Sequence, residues 1–361
     1  MAHQPNIFPG LIHGVRREWV GKSTNRNGQN LRPSCFPVPQ REKDMTEFTE
    51  VPVIHLGDRP DTESAADFLA AYGTTGFGYI TGHGIDPALT EALFEASRRF
   101  HALPLEQKMA IAVDRSHRGY IPINSSTDVN STLATVTKPN QSASFMMMRE
   151  DAEADPDEYL SGPNRWPDLD GFRDTLEHYS AAMSALGNRL MRIALQAAGI
   201  TDTNIMNAFE SPTVWLRLLH YPPQPPASPD DLYGSAPHTD FGCLTLLAQD
   251  SVGGLQVRTP AGQWVDVPHR PGALVVNVGD MLHRMSNGRL KSTPHRVINR
   301  SGHERFSCPF FYDPHVNTVI EPLPGTGAPK FPPLVFGDFL RSELEAAYDA
   351  HKPACATANS P

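Results

Sequence analysis

Long apolar runs are missing from this sequence, and none approaches the length of a membrane span. The first twenty residues, MAHQPNIFPGLIHGVRREWV, lack the continuous apolar centre that a secretory signal needs. Cysteine is scarce: Cys35, Cys243, Cys308 and Cys355 are the four in 361 residues, and no C-x-x-C pair occurs. That argues against a disulfide framework and points to a reduced, cytoplasmic compartment. Clustered positive charge is absent as well. The formal net charge is −9, and the 31 Lys and Arg are scattered along the chain. Nucleic acid and anionic membrane are therefore not the expected partners. No internal repeat is found.

Proline, by contrast, is plentiful at 34 residues, which favours a loop-rich or β-rich architecture over a helical bundle. The length supports a full core in one large or two modest domains. Residues 1–46 are polar and without periodicity, and a disordered leader is predicted there. From 47 to 200 the pattern is that of an N-terminal helical region. A short β-like run, VPVIHL, precedes a helix at 61–72; a strand follows in GFGYITGHG, then a helix from Pro87 to about Phe100. Residues 124–170 read as irregular, and a long amphipathic helix is predicted from about 171 to 198. From 201 to 345 short strands succeed one another between GG, AG, PG and NG turns, as in a sandwich or barrel. Residues 346–361 read as a C-terminal tail. The fold class is thus mixed α/β with a mainly β core.

The segment PHTDFGCLTLLAQD (237–250) sets His238 and Asp240 two positions apart at the start of an apolar run. Residues i and i+2 of a strand share a face about 6–7 Å apart, so both side chains could reach one ion. An H-x-D pair is also an ordinary way to open a strand, as turn polarity or a satisfied core histidine. A third candidate, His295 in STPHRVIN, stands 57 positions on. Two histidines and a carboxylate on one face of an octahedron characterise non-haem Fe(II) oxygenases. In RFSCPFFYDP, Arg305 and Ser307 share a strand face. A guanidinium aimed into an apolar barrel needs an anion, and a carboxylate matches it bidentately. In VWLRLLHYPP, Arg217, Leu219 and Tyr221 share a face, and Tyr221 could donate to the same carboxylate. The plain alternatives are a surface salt bridge for Arg305 and a core aromatic for Tyr221.

HTD, then His295, then R-F-S, preceded by HYPP, resembles the isopenicillin N synthase-like family of Fe(II)/2-oxoglutarate-dependent dioxygenases. VGGLQVR, PGALVVNVGDML, NGRLKSTPHRV and FFYDP resemble its barrel strands; VPVIHL, GFGYITGHGI and LPLEQK resemble its N-terminal region. The resemblance spans about residues 47–345 and implies a distorted double-stranded β-helix (jelly roll) flanked by helices. It implies Fe(II) held by His238, Asp240 and His295, with 2-oxoglutarate held by Arg305, Ser307 and Tyr221. It further implies O2-dependent oxidation of a small molecule, with release of succinate and CO2. Hydroxylation is the default outcome; desaturation or ring closure needs a different placement of the substrate. The family often has asparagine two residues before the tyrosine, and here that position is Leu219.

Phe311, Phe241, Arg217, Met146 and Met148 are the candidates for contact with substrate, with Met147 between the last two. Arg217 could hold an anionic or hydrogen-bonding group, and methionines suit an adaptable apolar pocket. Phe241 and Phe311 are equally compatible with plain core. Three rivals share these residues. They are a zinc hydrolase on the same ligands, a non-catalytic binding barrel, and ethylene- or succinate-forming oxidation of 2-oxoglutarate itself. The family's substrates include amino acids, peptides and the flavonoids, alkaloids and terpenoids of secondary metabolism, and nothing in the residues chooses among them.

Overall fold

The computed structural model describes residues 47–127, 133, 136–225, 227–348 and 351. The predicted leader, 1–46, lies outside the described residues, as do Cys35 and Cys355. In chain order the first half comprises β1 (Val53–His55), α1 (Asp61–Tyr72), β2 (Phe77–Thr81), α2 (Pro87–Ala102), α3 (Leu105–Met109), β3 (Gly119–Ile121), β4 (Ala143–Met148) and α4 (Phe172–Ala197). The second comprises β5 (Thr213–Tyr221), β6 (Ser235–His238), β7 (Leu244–Gln249), β8 (Leu255–Arg258), β9 (Trp264–Asp266) and β10 (Ala273–Val278). It ends with α5 (Asp280–Met285), β11 (His295–Val297), β12 (Arg305–Asp313), β13 (Val319–Ile320), β14 (Leu334–Val335) and α6 (Phe336–Ala347). Among the described residues no helix is long and apolar enough to cross a membrane.

Two sheets face each other. The larger has eight strands in the order β1-β2-β10-β7-β12-β5-β4-β3, and the smaller has four in the order β6-β11-β8-β9. Strand alternation assigns the faces of the large sheet. Leu216, Leu218, Leu246, Val276 and Phe310 join the core cluster that also holds the helix residues Phe68, Phe100, Leu176 and Leu190. Strand residues of the opposite face, Leu219, Tyr221, Val275 and Tyr79, turn the other way and meet Leu255, Val257 and Val297 of the small sheet. This is the jelly roll, with helices on its outer face.

Helix α4 shows why the layer forms. Phe172, Leu176, Tyr179, Met183, Leu186, Leu190 and Ile193 recur at helical spacing and are all buried. Each such side chain contributes about 1.5–3 kcal/mol when removed from water. At α2, Pro87 occupies the first turn and the Asp86 side chain accepts from Ala88 N at 2.9 Å, satisfying one of the free N–H groups there.

Two sequence expectations are corrected. The stretch around SFMMMRE is not irregular: β4 is a fully buried strand of the large sheet, antiparallel to β5. It shows no polar–apolar alternation because both of its faces are covered. The boundary at 200 does not separate two bodies either. Strands β2 and β4 from the first half hydrogen-bond to β10 and β5 from the second.

Gly187 of α4 lies against the ring of buried Tyr312, and a Cβ there would stand 2.6 Å from the ring's Cγ. That ring is fixed by stacking on Phe209 at 5.5 Å and by Asn188, whose amide donates to its hydroxyl at 3.1 Å. Gly187→Ala would gain about 1 kcal/mol of helix propensity but overpack the contact by about 1–3 kcal/mol. The variant is expected to unfold at a lower temperature than the parent. An unchanged or raised Tm would show that the ring yields freely.

Candidate metal centre

His238 is the last residue of β6 and His295 the first of β11, and the antiparallel register sets them directly opposite. Their ring centroids are 4.3 Å apart. Asp240 follows two residues after His238, where the chain has just left the strand. Nε2 of each histidine lies 3.7 Å from the same atom, Asp240 Oδ1. The three donor atoms lie within 4.8 Å of one another, and no other group of His, Cys, Asp or Glu among the described residues converges so.

The far side of each donor is already engaged. His238 Nδ1 is 2.7 Å from Ala236 O, and His295 Nδ1 is 3.3 Å from Thr293 O. A carbonyl can only accept, so each Nδ1 carries a proton, and in the neutral ring the lone pair is then on Nε2, facing Asp240 Oδ1. Asp240 Oδ2 accepts from Thr245 Oγ1 at 2.5 Å and from Asn277 Nδ2 at 2.7 Å, leaving Oδ1 for the shared point. Burial pushes His295 down to about 4, helped by His238 and opposed by Asp240. Its ring is therefore neutral, as a metal ligand must be. Burial alone would raise Asp240; the two histidines and the bonds from Asn277 and Thr245 outweigh it and hold the carboxyl below its ordinary range.

The turn that carries Asp240 is pinned from α5. Asp280 N donates to Asp240 O and Met281 N to Gly242 O, both at 2.8 Å. The Asp280 carboxyl accepts from Thr239 and Ser292. Gly242 is required by closeness: a Cβ there would fall 1.7 Å from Asp313 Oδ1.

Arg305 is 0% exposed, at the inner end of β12. Its Nε donates to Gly253 O at 2.7 Å, Nη1 to Ser307 Oγ at 3.1 Å and Nη2 to Gln249 Oε1 at 3.4 Å. Its guanidinium lies 4.6 Å from the centroid of the Tyr221 ring, which stands opposite it in the register of β5. Among the described residues no carboxylate forms an ion pair with Arg305. A fully buried cation with only neutral partners is a site that fits an anion. Leu219, opposite Ser307, adds apolar wall in place of an amide.

A cavity of about 660 Å³, counting its open mouth, adjoins the cluster. His238 and Asp240 line it together with Phe241, Phe311, Arg217 and Met146, four of the five residues that the sequence offers for substrate contact. Met148 does not reach it. One step farther along β4, it packs beside Arg118, Leu160 and Val214, and Asn164 holds its backbone N–H and carbonyl. Met147 is buried in the core cluster. Several lining residues escaped the sequence reading: His117, Asn140, Trp215, Ser235, Asp313, Leu344 and Tyr348. Tyr348 was assigned to a tail, yet it follows α6 directly and bridges to Ser126. Asn277 and Thr245 carried one signal, each being a polar residue inside an apolar strand.

Residues 212–314 match the family profile of the 2OG-Fe(II) oxygenase superfamily, and residues 51–169 match that of the non-haem dioxygenase in morphine synthesis N-terminal. A 2-oxoglutarate-Fe(II) type oxidoreductase of Emericella nidulans is 39% identical over 290 residues, covering 76% of this chain and 81% of the relative. The chain belongs to the 2OG-Fe(II) oxygenase superfamily. Homoarginine-6-hydroxylase of Arabidopsis thaliana is 31% identical over 84% of this chain and 99% of its own length. Among solved structures, the full-length Neurospora crassa protein in complex with alpha-KG and thymine has a TM-score of 0.70 and 31% identity. That match covers 80% of this chain and 95% of the other. The oxygenase described here is accordingly an Fe(II)- and 2-oxoglutarate-dependent enzyme that uses O2 and acts on a small molecule. The zinc-hydrolase and non-catalytic readings fall away with this assignment.

Proposed function

We propose that His238, Asp240 and His295 hold the iron, and that Arg305, with Ser307 and Tyr221, holds the distal carboxylate of 2-oxoglutarate. The small-molecule substrate sits in the cavity beside Phe311, Phe241, Met146 and Arg217. One observation carries this reading: two Nε2 atoms converge on one carboxylate oxygen while every other polar atom of the three side chains is spoken for. That donor set, two imidazoles and a carboxylate with one oxygen free, suits a ferrous ion with open positions. When bound, the iron and its cosubstrate supply the O2-driven oxidation of a C–H bond, with 2-oxoglutarate going to succinate and CO2.

The chain's own residues do the placing. Ser307 and Phe311 lie four residues apart on the same inward face of β12, about 13 Å at the rise of a strand. The cosubstrate's far end is thus anchored at one end of the barrel and the substrate at the other, with the metal cluster facing both. Such fixed orientation is worth several kcal/mol of barrier. The apolar inner faces exclude water from the reacting centre. Hydroxylation follows when the oxidised carbon stays beside the metal; desaturation or ring closure follows from a different substrate placement. The relatives named after homoarginine hydroxylation and solved with thymine support a small polar organic substrate. The separate cavity favours an independent substrate over oxidation of 2-oxoglutarate alone.

Anaerobic loading with Fe(II) and 2-oxoglutarate, then air and a metabolite panel, tests the reaction. Succinate is expected in step with a product that gains one oxygen or loses two hydrogens. Ethylene formed without any added compound would favour the rival reaction. His238→Ala is expected to lose stoichiometric metal binding and coupled turnover together. Asn277→Ala removes one of the two bonds to Asp240 Oδ2, and Fe(II) affinity is expected to fall about 10–100-fold with the fold intact. Metal titration followed by circular dichroism checks both variants, and full affinity in either would count against the ligand set.

Arg305→Lys keeps the charge but loses the fork. Charge-assisted hydrogen bonds are worth about 1.5–3 kcal/mol, so KM for 2-oxoglutarate is expected to rise roughly ten- to a hundredfold. The rate at saturation should fall much less. Steady-state kinetics reads the split, and equal losses in both parameters would contradict an anchoring role.

A further inference from the structure

Arg217 lines the cavity as a half-buried cation whose visible partners are neutral. Its Nε donates to Ser144 Oγ at 2.9 Å and Nη1 to the Tyr348 hydroxyl at 3.3 Å. Among the described residues no carboxylate pairs with it. Arg149, also half-buried, shows the contrast, since it finds both Asp151 and Glu158. The two acids that share the cavity wall with Arg217 are engaged elsewhere. Asp240 belongs to the metal cluster, and Asp313 accepts from Cys243 N at 2.6 Å.

Two further polar groups at the same wall have no hydrogen-bond partner among the described residues: Trp215 Nε1, a donor only, and Nε2 of His117, both buried. His117 is 0% exposed, and its Nδ1 lies 2.8 Å from His351 Nε2. Burial, assisted by His351 and Arg217, drives its pKa well below the ordinary histidine value, so it adds no second positive charge. The apolar part of the wall is Phe311, Phe241, Met146 and Leu344, and Asn140 and Ser235 also line the cavity.

We infer that the substrate is a small organic acid with an apolar body, its carboxylate clamped by Arg217 and its carbon skeleton against Trp215 and Phe311. This rests on the proposed assignment of the cavity to the substrate. A carboxylate supplies what the wall is missing: one negative charge and two coplanar acceptors that fit the guanidinium fork. A neutral amide or alcohol would leave the charge unpaired, and an amine would be repelled by it. A dianion such as a phosphate monoester would set excess negative charge beside Asp240. Tyr348 is a positioning residue, because its hydroxyl accepts from Nη1 and directs the remaining donors of Arg217.

The test uses the full chain saturated with Mn(II) and 2-oxoglutarate, so that no turnover occurs. Phenylacetate is compared with phenylacetamide, and cyclohexanecarboxylate with its carboxamide, by Tm shift and calorimetric titration. At least one acid is expected to bind tenfold or more tightly than its amide. Arg217→Gln should abolish that difference while Mn(II) and 2-oxoglutarate still bind with parental affinity. Tyr348→Phe, a milder change, should weaken the acid severalfold without touching the amide. Amides that bind as well as acids, a panel in which no acid binds, or an acid preference that survives in Arg217→Gln would each overturn the inference. So would displacement of the acid by rising 2-oxoglutarate, which would place it at Arg305. Failure of the metal and cosubstrate assignment shows separately, as parental Mn(II) binding in His238→Ala.

Discussion

The antiparallel register between β6 and β11 is the constraint from which the site follows. It sets His238 opposite His295 at the edge of the small sheet, and no loop conformation has to be found for either. Asp240 then needs only a short turn to bring its carboxylate between them. That turn is held by backbone bonds from the start of α5 and by a glycine that lets Asp313 approach. Strand pairing is cheap to maintain once one face is buried, because a slip by one residue would invert every side chain. The placement of the three donors is therefore set by the fold as a whole.

The same sheets explain why charge can be kept inside. A buried guanidinium without an anion costs several kcal/mol. Arg305 reduces that cost with a backbone carbonyl, two neutral side chains and the face of Tyr221. These partners are acceptors of modest strength, so the charge is tolerated and still underpaired. A protein that needed Arg305 only for stability would gain more from an internal carboxylate. The proposed role of Arg305 as the anchor of an exogenous acid ties folding and ligand affinity together, since an anion that binds there also stabilises the native state.

Much of this was legible in the sequence because it is local. The i, i+2 pairs His238/Asp240 and Arg305/Ser307 are visible as spacings, and strand periodicity places each pair on one face. The helical spacing of α4 is visible for the same reason. Strand β4 was not legible: Phe145, Met146, Met147 and Met148 are buried on both faces, which erases the alternation that marks a half-buried strand. Helix α6 has a readable pattern in Phe336, Leu340 and Leu344, but no spacing in the chain says that its end enters the cavity. His117, Asn140, Trp215 and Tyr348 meet only because distant segments fold onto one another. Met148 shares strand parity with Met146 and still misses the cavity, so parity fixes the face and leaves the depth open.

These differences follow a division of labour. Of the residues proposed to handle iron and 2-oxoglutarate, all but Asp240 are on paired strands of the jelly roll, where register dictates geometry. Besides Phe241 and Phe311, the walls that would select a substrate draw on β4, β5, the turn at His117 and the residue after α6, which come from four separate stretches of sequence. Changes in any one of those stretches alter the cavity without disturbing the register of β6 and β11. Tyr348 is the clearest case: it bonds to Arg217, packs edge-on against His117 at 4.8 Å, and belongs to no strand. Arg217 and Phe311 share β5 and β12 with Tyr221, Arg305 and Ser307, so those walls are tied to the strands of the proposed cosubstrate site. His117, Met146 and Tyr348 lie on other segments and can change what is oxidised without touching those strands.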